Sequence, residues 1–187
     1  MKYSINFSEL VRQCVDRLNE SGVDALGALF DLTSQRLVRL ALAITRNQHD
    51  AEDAVQTALA RIASRPLLLK PSLSPWAYLL QIVRNEALLI ARHKRRCVSS
   101  ENLNDLLVKC PVDELDREET YRAIWSALRT LPPEQAEVVT LKIWEDMTFV
   151  QIGEILELSP NTAASRYQYG MNKLSKALAK ERQETRR

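Results

Sequence analysis

Apolar residues along the chain repeat at the spacing of amphipathic helices. Between residues 26 and 44 they recur at i, i+3, i+4 and i+7, which predicts one long helix with a single buried face. Shorter stripes predict a first helix that ends near Gly22, a third helix that Asp50 caps, and a fourth that begins at Trp76. The buried stripe of the third helix is expected to comprise Ala51, Ala54, Val55, Ala58 and Ile62.

Two segments interrupt this helical pattern. The proline-rich segment 66–75 reads as a loop, and periodicity is lost again from about Cys97 to Val112. No stretch shows the alternation of a β-strand. The sequence therefore predicts an all-α fold with two small helical domains, residues 1–96 and 113–187, joined by a linker over residues 97–112.

The strongest local pattern lies between Met147 and Leu174. Thr148 and Gln151 form a capping box for one short helix, and Gly153 permits a neighbouring helix to approach closely. Ser159 then caps a second helix that has Pro160 at its first position. A short helix, a tight turn and a capped helix predict a helix-turn-helix, whose second helix enters the DNA major groove.

The exposed face of that second helix carries side chains that suit DNA. They offer hydrogen bonds to base edges and charge for phosphates. The alternative for each one alone is the polar solvent face of an ordinary helical hairpin. The candidate residues are Ser159, Asn161, Thr162, Ser165, Arg166, Gln168, Tyr169 and Lys173.

Composition is that of a globular helical protein, and the charge distribution adds to the picture. The 187 residues are 45% apolar and 27% charged, with only 4 glycines and a net charge of +2. A basic stretch at 84–96 is followed by an acidic stretch at 101–119, and the C-terminus is basic again. Two basic helix ends on either side of an acidic connector predict two modules that face DNA.

Several classes of function are disfavoured. We see no signal-peptide core and no uncharged stretch of membrane-spanning length, so membrane insertion is not expected and a cytoplasmic location is. The three cysteines lack a CxxC spacing and are expected to be thiols, and neither a metal site nor a cofactor is expected. An enzyme is the weakest interpretation, because there is no nucleophile elbow and no phosphate loop.

Three segments resemble the extracytoplasmic-function (ECF) type of bacterial RNA polymerase sigma factor. LPPEQAEVVTLKIWEDMTFVQIGEILELSPNTAASR is similar to region four of these proteins. DAEDAVQTALARIA resembles the polymerase-binding helix of region two, and AYLLQIVRNEALLIARHKRR resembles the region-two helix that melts and reads the minus-ten element. The resemblance implies an alternative sigma factor, which directs core RNA polymerase to specific promoters and helps to open them.

The resemblance also assigns contacts with polymerase. An acidic helix face is expected to bind the clamp helices of the largest subunit, and the segment 131–144 is expected to support the flap of the second-largest subunit. For each acid alone, a solvated helix face is an equal alternative. The residues assigned to the clamp helices are Asp50, Glu52, Asp53 and Gln56.

For the minus-ten element, the resemblance implies a loop at 65–74 that captures a flipped base, and a helix that contacts melted DNA. Core packing is the alternative for Trp76 and Tyr78, and a soluble basic surface is the alternative for the arginines. The candidates are Lys70, Trp76, Tyr78, Arg84, Asn85, Arg92, Arg95 and Arg96. The helix-turn-helix residues, from Ser159 to Lys173, are expected to read the minus-thirty-five element.

Two further expectations concern Glu157 and an anti-sigma factor, and two alternative functions remain open. Glu157 stands where the family often has glycine, and a positive φ there would cost about 1 kcal/mol. An anti-sigma factor is an expected partner by family analogy. A stand-alone helix-turn-helix regulator is the main rival, although it would need a dimer interface. A module that only binds proteins would leave the 159–173 pattern unexplained.

Overall fold

The structure is a computed structural model, and it describes residues 7–65, 74–97 and 124–184. The described residues confirm the all-α prediction. The helices are α1 (Phe7–Ser21), α2 (Leu26–Thr45), α3 (Gln48–Ser64), α4 (Pro75–Cys97), α5 (residues 124–129), α6 (Pro133–Ile143), α7 (Phe149–Leu156) and α8 (Pro160–Glu184). A short three-ten helix, Gly22–Ala25, joins α1 to α2. Lys70 and residues 98–112 of the predicted linker lie outside the described residues.

Helices α1 to α4 form what we call the N-terminal module. Helices α2, α3 and α4 pack on one another, and α1 lies against α2 and α4. The predicted stripes are buried, with Leu40 of α2, Ile62 of α3 and Leu80 of α4 fully inside. Each such side chain contributes about 1.5–3 kcal/mol of hydrophobic stabilisation relative to exposure.

The predicted cap of α3 was wrong by three residues. Asn47, in an extended conformation, is the N-cap, and its side chain accepts a hydrogen bond from the backbone N–H of Asp50 at 3.1 Å. Asp50 therefore lies inside the first turn, where its carboxylate still suits the helix dipole. Asn and Asp are both strong N-caps, so residue preference alone did not decide between them.

Helices α5 to α8 form the C-terminal module, in which α8 packs on α6 and α7. The capping box of α7 is confirmed, since Thr148 and Gln151 bond each other's backbone N–H. Ser159 also caps α8 as predicted, and its hydroxyl accepts from the Thr162 N–H at 3.1 Å. Glu157 ends α7 with φ at 58°, so the residue does adopt the left-handed conformation.

Two glycines allow the helices of this module to approach closely. A Cβ added at Gly153 would lie 2.6 Å from the carbonyl oxygen of Leu158, which belongs to the turn before α8. A Cβ at Gly170 would lie 2.8 Å from Cγ2 of Val139 on α6. Helix α7 therefore lies directly on the turn before α8, and α8 lies directly on α6, at contacts that any larger residue at positions 153 or 170 would disturb.

The two modules pack against each other, which the sequence did not predict. Helix α2 contacts α6, α4 contacts α7, and one apolar cluster includes buried residues of both modules. Polar contacts accompany the apolar ones. Arg46 donates to the carbonyl of Leu131 at 2.6 Å, and Arg36 donates to that of Trp144 at 3.4 Å.

Glu145 is an acid of the C-terminal module that lies at this contact. Its side chain is 1% exposed, and its carboxylate lies 3.4 Å from Nε of Arg36. Arg36 also stacks on the ring of Phe7, with its guanidinium carbon 3.8 Å from the ring centroid. Burial raises the pKa of Glu145 above the usual 4.5, and it outweighs Arg36, Arg39 and Trp76, which favour the charged form.

No helix among the described residues is both long enough and apolar enough to cross a membrane.

We expect Gly153→Ala to destabilise the protein by about 1–3 kcal/mol, because the methyl group would force Leu158 and the helix-turn-helix apart. The free energy of unfolding in urea, followed by circular dichroism, measures this. The control is Gly27→Ala on the exposed start of α2, where no atom lies within 4 Å of the added Cβ. That change should be neutral or stabilising, and equal stabilities of the two variants would contradict the close approach at Gly153.

We expect Glu145→Gln to gain stability relative to the native chain as the pH rises. A raised carboxyl pKa means that the folded protein holds the proton more tightly than the unfolded chain. The native chain therefore loses stability from about pH 4.5 upwards, through the raised folded pKa. The uncharged glutamine does not titrate, so the difference in unfolding free energy between the two proteins should grow from pH 4.5 to pH 7. The exposed Glu154→Gln gives the baseline, and curves that run parallel for Glu145→Gln would contradict the burial argument.

Candidate nucleic-acid interface

The first half of α8 presents the predicted reading face to solvent. Ser159, Asn161, Thr162, Ser165, Gln168, Tyr169 and Lys173 are exposed, and Arg166 is half-buried. Tyr169 is 64% exposed, far more than a core tyrosine would be. On the opposite side of the same helix Ala163 and Leu174 are buried, so α8 has one face that packs against its module and one that is exposed to solvent.

Part of the hydrogen-bonding capacity at the start of α8 is used locally. The hydroxyls of Ser159 and Thr162 lie 2.8 Å apart, and Ser165 donates to the carbonyl of Asn161 at 3.0 Å. These bonds fix the rotamers of short side chains, which would otherwise lose conformational entropy on binding. The hydroxyl groups of Ser159, Thr162 and Ser165 are thus already engaged in hydrogen bonds within the start of α8.

Helix α4 carries the minus-ten candidates on several of its faces. Asn85, Arg92 and Arg96 are exposed, whereas Tyr78 is half-buried. The side chain of Arg95 lies outside those that the structure describes. The amide of Asn85 and the guanidinium groups of Arg92 and Arg96 are thus accessible to solvent.

Trp76 is buried in this structure, with only 3% of its surface exposed. Its ring packs edge-on against Phe7 of α1, with centroids 4.9 Å apart and planes at 79°. Core packing, the alternative interpretation of this residue, accounts for that position. Stacking of Trp76 on a base would require α1 to move and stays a prediction.

Arg84 is held by the C-terminal module. Its Nε lies 2.7 Å from Oε2 of Glu137, and the two side chains are 17% and 4% exposed. Burial raises the pKa of Glu137 above the usual 4.5 despite this ion pair, and the nearby Arg166 adds only a small opposing effect. Glu137 therefore lies close to one candidate arginine from each module.

The acidic face of α3 is only partly exposed. Asp53 and Gln56 are exposed and Glu52 is half-buried, as a partner-binding face requires. Asp50 instead forms an ion pair with Lys94 at the end of α4, at 2.7 Å, and its side chain is 11% exposed. The surface available to a basic partner is thus centred on Asp53 and Gln56.

Sequence reasoning missed the residues that join the modules, above all Arg36, Glu137 and Glu145. One signal was present, because Glu137 stands in a run of residues, 136–141, that are all buried. A lone acid in such a run requires a cationic partner. Nothing in the local pattern could identify that partner as Arg84, which lies 53 positions earlier.

Within the described ranges, no group of three or more histidine, cysteine, aspartate or glutamate side chains could hold an ion.

Comparison with protein families gives two matches in the expected order. Residues 29–97 match sigma-70 region 2, and residues 121–174 match sigma-70 region 4. The first match contains α3, α4 and all but the first three residues of α2, and the second contains α6, α7 and the first part of α8. Helix α1 precedes both matches.

Several similar proteins are sigma factors. The chain is 30% identical to the RNA polymerase sigma-E factor of Streptomyces coelicolor, over 79% of this chain and 78% of that protein. It is also 30% identical to the ECF RNA polymerase sigma factor SigE of Mycolicibacterium smegmatis, over 81% of this chain but 61% of that longer protein. The ECF sigma factor SigW of Bacillus subtilis is 22% identical over 90% of this chain and 97% of that protein.

A solved structure shares the fold. The sigma factor RpoE from Bartonella quintana, crystallised with the anti-sigma factor NepR, superposes with a TM-score of 0.67 at 21% identity, over 80% of this chain and 94% of that one. A match to region 2 is not expected of a stand-alone helix-turn-helix regulator. The chain belongs to the ECF-type sigma factors of bacterial RNA polymerase, and its function is that of an alternative sigma factor.

Proposed function

We propose that this chain binds core RNA polymerase and uses its two modules to recognise the two elements of a promoter. The observation that carries the proposal is the capped first half of α8, whose exposed polar face follows a helix-turn-helix and is accompanied by a second module with exposed Asn85. Promoter specificity in this arrangement is divided between duplex reading by α8 and single-strand contact by α4.

In the C-terminal module, Asn161 and Arg166 are proposed to read base edges of the minus-thirty-five element. An amide and a guanidinium can each make two hydrogen bonds to one purine in the major groove. The hydroxyls of Ser159, Thr162 and Ser165 and the charge of Lys173 position the helix on the backbone. Gln168 and Tyr169, one turn further along, extend the contact.

In the N-terminal module, Asn85 and Tyr78 are proposed to contact melted minus-ten DNA, while Arg92 and Arg96 bind its phosphates. Lys70, Trp76, Arg84 and Arg95 remain in the proposed set. Opening requires no nucleotide hydrolysis by this chain, because the energy comes from binding the unpaired strand. We therefore propose no catalytic activity for the chain itself.

The exposed acids of α3 are proposed to bind the clamp helices of the largest polymerase subunit, with Asp53 and Gln56 at the centre. Segment 131–144 is proposed to support the flap of the second-largest subunit. An anti-sigma factor is a further proposed partner, supported by the fold shared with a sigma factor that was crystallised with one. The proposed place of action is the cytoplasm, where core polymerase works.

Run-off transcription tests the function directly. Purified chain, core polymerase and a genomic promoter library should give specific start sites that are absent without the chain. Asn85→Ala should lower open-complex formation about fivefold, which corresponds to one lost hydrogen bond of about 1 kcal/mol. Asn19→Ala, an exposed asparagine of α1, serves as the matched control. Absence of new start sites, together with tight duplex binding without polymerase, would refute the proposal.

Binding to core polymerase tests the acidic face of α3. Asp53→Lys reverses one exposed charge and should weaken association on the order of tenfold at low salt, with a smaller effect at high salt. Asp16→Lys makes the same reversal on the exposed side of α1. Equal losses for the two variants, measured by fluorescence anisotropy, would show that general charge rather than the α3 face is responsible.

A further inference from the structure

The end of α4 extends beyond the apolar core of the N-terminal module. The buried stripe of this helix runs through Leu80, Val83 and Ala87, none of which is accessible to solvent. About one turn later the burial ends, and every side chain that the structure describes between residues 92 and 96 is exposed. Apolar packing therefore holds the middle of α4 but does not fix the turn that carries its basic residues.

An ion pair with α3 lies where that buried stripe would continue. Lys94 follows Ala87 by about two helical turns, on the same side of α4. Its Nζ lies 2.7 Å from Oδ2 of Asp50. Asp50 in turn precedes the fully buried Ala54 by about one turn, so it extends the packed side of α3. The pair thus joins the two helices at the point where their apolar contact ends.

The proposed DNA contacts of α4 lie on the other side of the helix from Lys94. With 3.6 residues per turn, Asn85 is roughly 180° around the helix from Lys94, and Arg92 and Arg96 are each roughly 160° away from it. All three of these side chains are exposed. Holding Lys94 against α3 therefore sets the direction in which the two arginines project.

We propose that Asp50 is a positioning residue for promoter DNA rather than a contact of polymerase. Its carboxylate holds Lys94 against α3 and so keeps the end of α4 in the orientation that presents Arg92 and Arg96 to phosphates. The inference rests on the proposed role of these arginines at the minus-ten element. It also separates Asp50 in function from the exposed Asp53, which is proposed to meet polymerase.

Direct electrostatics predicts the opposite effect of Asp50 on DNA binding. An acid beside a phosphate backbone repels it, so removing the charge of Asp50 should strengthen binding. As a positioning residue, Asp50 instead restrains a helix end that would otherwise fray. Without the ion pair, the entropy of ordering that turn is lost when DNA binds, and binding becomes weaker. The sign of the effect therefore distinguishes the two roles.

The test compares Asp50→Asn with Asp53→Asn, which remove the same charge from the same helix. The probe is a DNA fork, duplex upstream and single-stranded over the minus-ten element, with the sequence of a start site found by run-off transcription. Asp50→Asn should weaken binding of the saturated holoenzyme to the fork about threefold, as expected for a partly exposed ion pair. Its affinity for core polymerase should not change.

Two control variants frame that result. Asp53→Asn should give the reverse pattern, with weaker binding to core polymerase. Asp16→Asn, at an exposed position of α1, should change neither affinity. Asparagine at position 50 keeps the backbone N–H that donates to the Asn47 cap, and thermal melting followed by circular dichroism confirms that each variant is folded.

Amide hydrogen exchange on the free chain reports the order of the helix end directly. Asp50→Asn and Lys94→Gln should each speed the exchange of backbone amides 92–97 on the order of threefold, because each breaks the same pair. Asp50→Glu keeps a carboxylate within reach of Lys94 and should retain both the protection and the fork binding. The double variant Asp50→Asn with Lys94→Gln should weaken fork binding no more than Lys94→Gln alone.

Three results would overturn the proposal. Tighter fork binding by Asp50→Asn would show that the acid only repels DNA. Unchanged exchange of amides 92–97 would show that the pair does not order the helix end, and weaker binding of Asp50→Asn to core polymerase would assign Asp50 to the clamp helices. A native chain that gives no start sites would instead refute the proposed function, whereas the exchange experiment does not depend on polymerase.

Discussion

Two carboxylates of the C-terminal module, Glu137 and Glu145, lie in the contact with the N-terminal module. A charge taken from water into such a place costs several kcal/mol unless a cation and hydrogen bonds compensate for it. Arg84 and Arg36 supply the cations, and burial still holds the pKa of both acids above the usual 4.5. Each acid would cost the packed form more without its arginine, so the two ion pairs fix which parts of the modules meet rather than supplying net stabilisation.

The apolar part of the contact has a different character. Hydrophobic contact is not directional, so it permits many arrangements of one helix on another. The ion pairs require a particular one, because Arg84 can meet Glu137 only when this part of α4 lies beside α6. Arg36, which pairs with Glu145, also stacks on the ring of Phe7 and so holds α1 in the same arrangement. Specificity of the packed form therefore comes from charge, and most of its stabilisation comes from the apolar residues around it.

Local features of the fold were predictable from the sequence. The stripes of α2 and α3, the capping box at Thr148 and the cap at Ser159 depend on residues within one or two helical turns, and such signals can be read directly. The exposed face of α8 was predictable for the same reason. The cap of α3 was misassigned because Asn47 and Asp50 are both strong candidates, and only the backbone conformation decides between them.

Contacts between distant residues were not predictable in this way. A tryptophan can stack on a base or pack in a core, and the sequence does not distinguish the two. The burial of Trp76 depends on Phe7, which lies in another helix. Arg84 is part of a basic stretch, yet its partner stands in the other module. A single sequence shows that Glu137 requires a cation but does not show which one. Pairing across the chain is a property of the tertiary arrangement rather than of local pattern.

The close contact of Gly170 with Val139 determines the orientation of α8 on α6. Nine residues separate Asn161 from Gly170, a length of about 14 Å along a helix. A larger side chain at position 170 would tilt α8 about this point of contact. A tilt of about 15° would move Asn161 by ~3.5 Å, which equals the rise of one base pair along a DNA strand. Under the proposed role of Asn161, the absence of a single methyl group at position 170 thus sets which base-pair step that side chain meets.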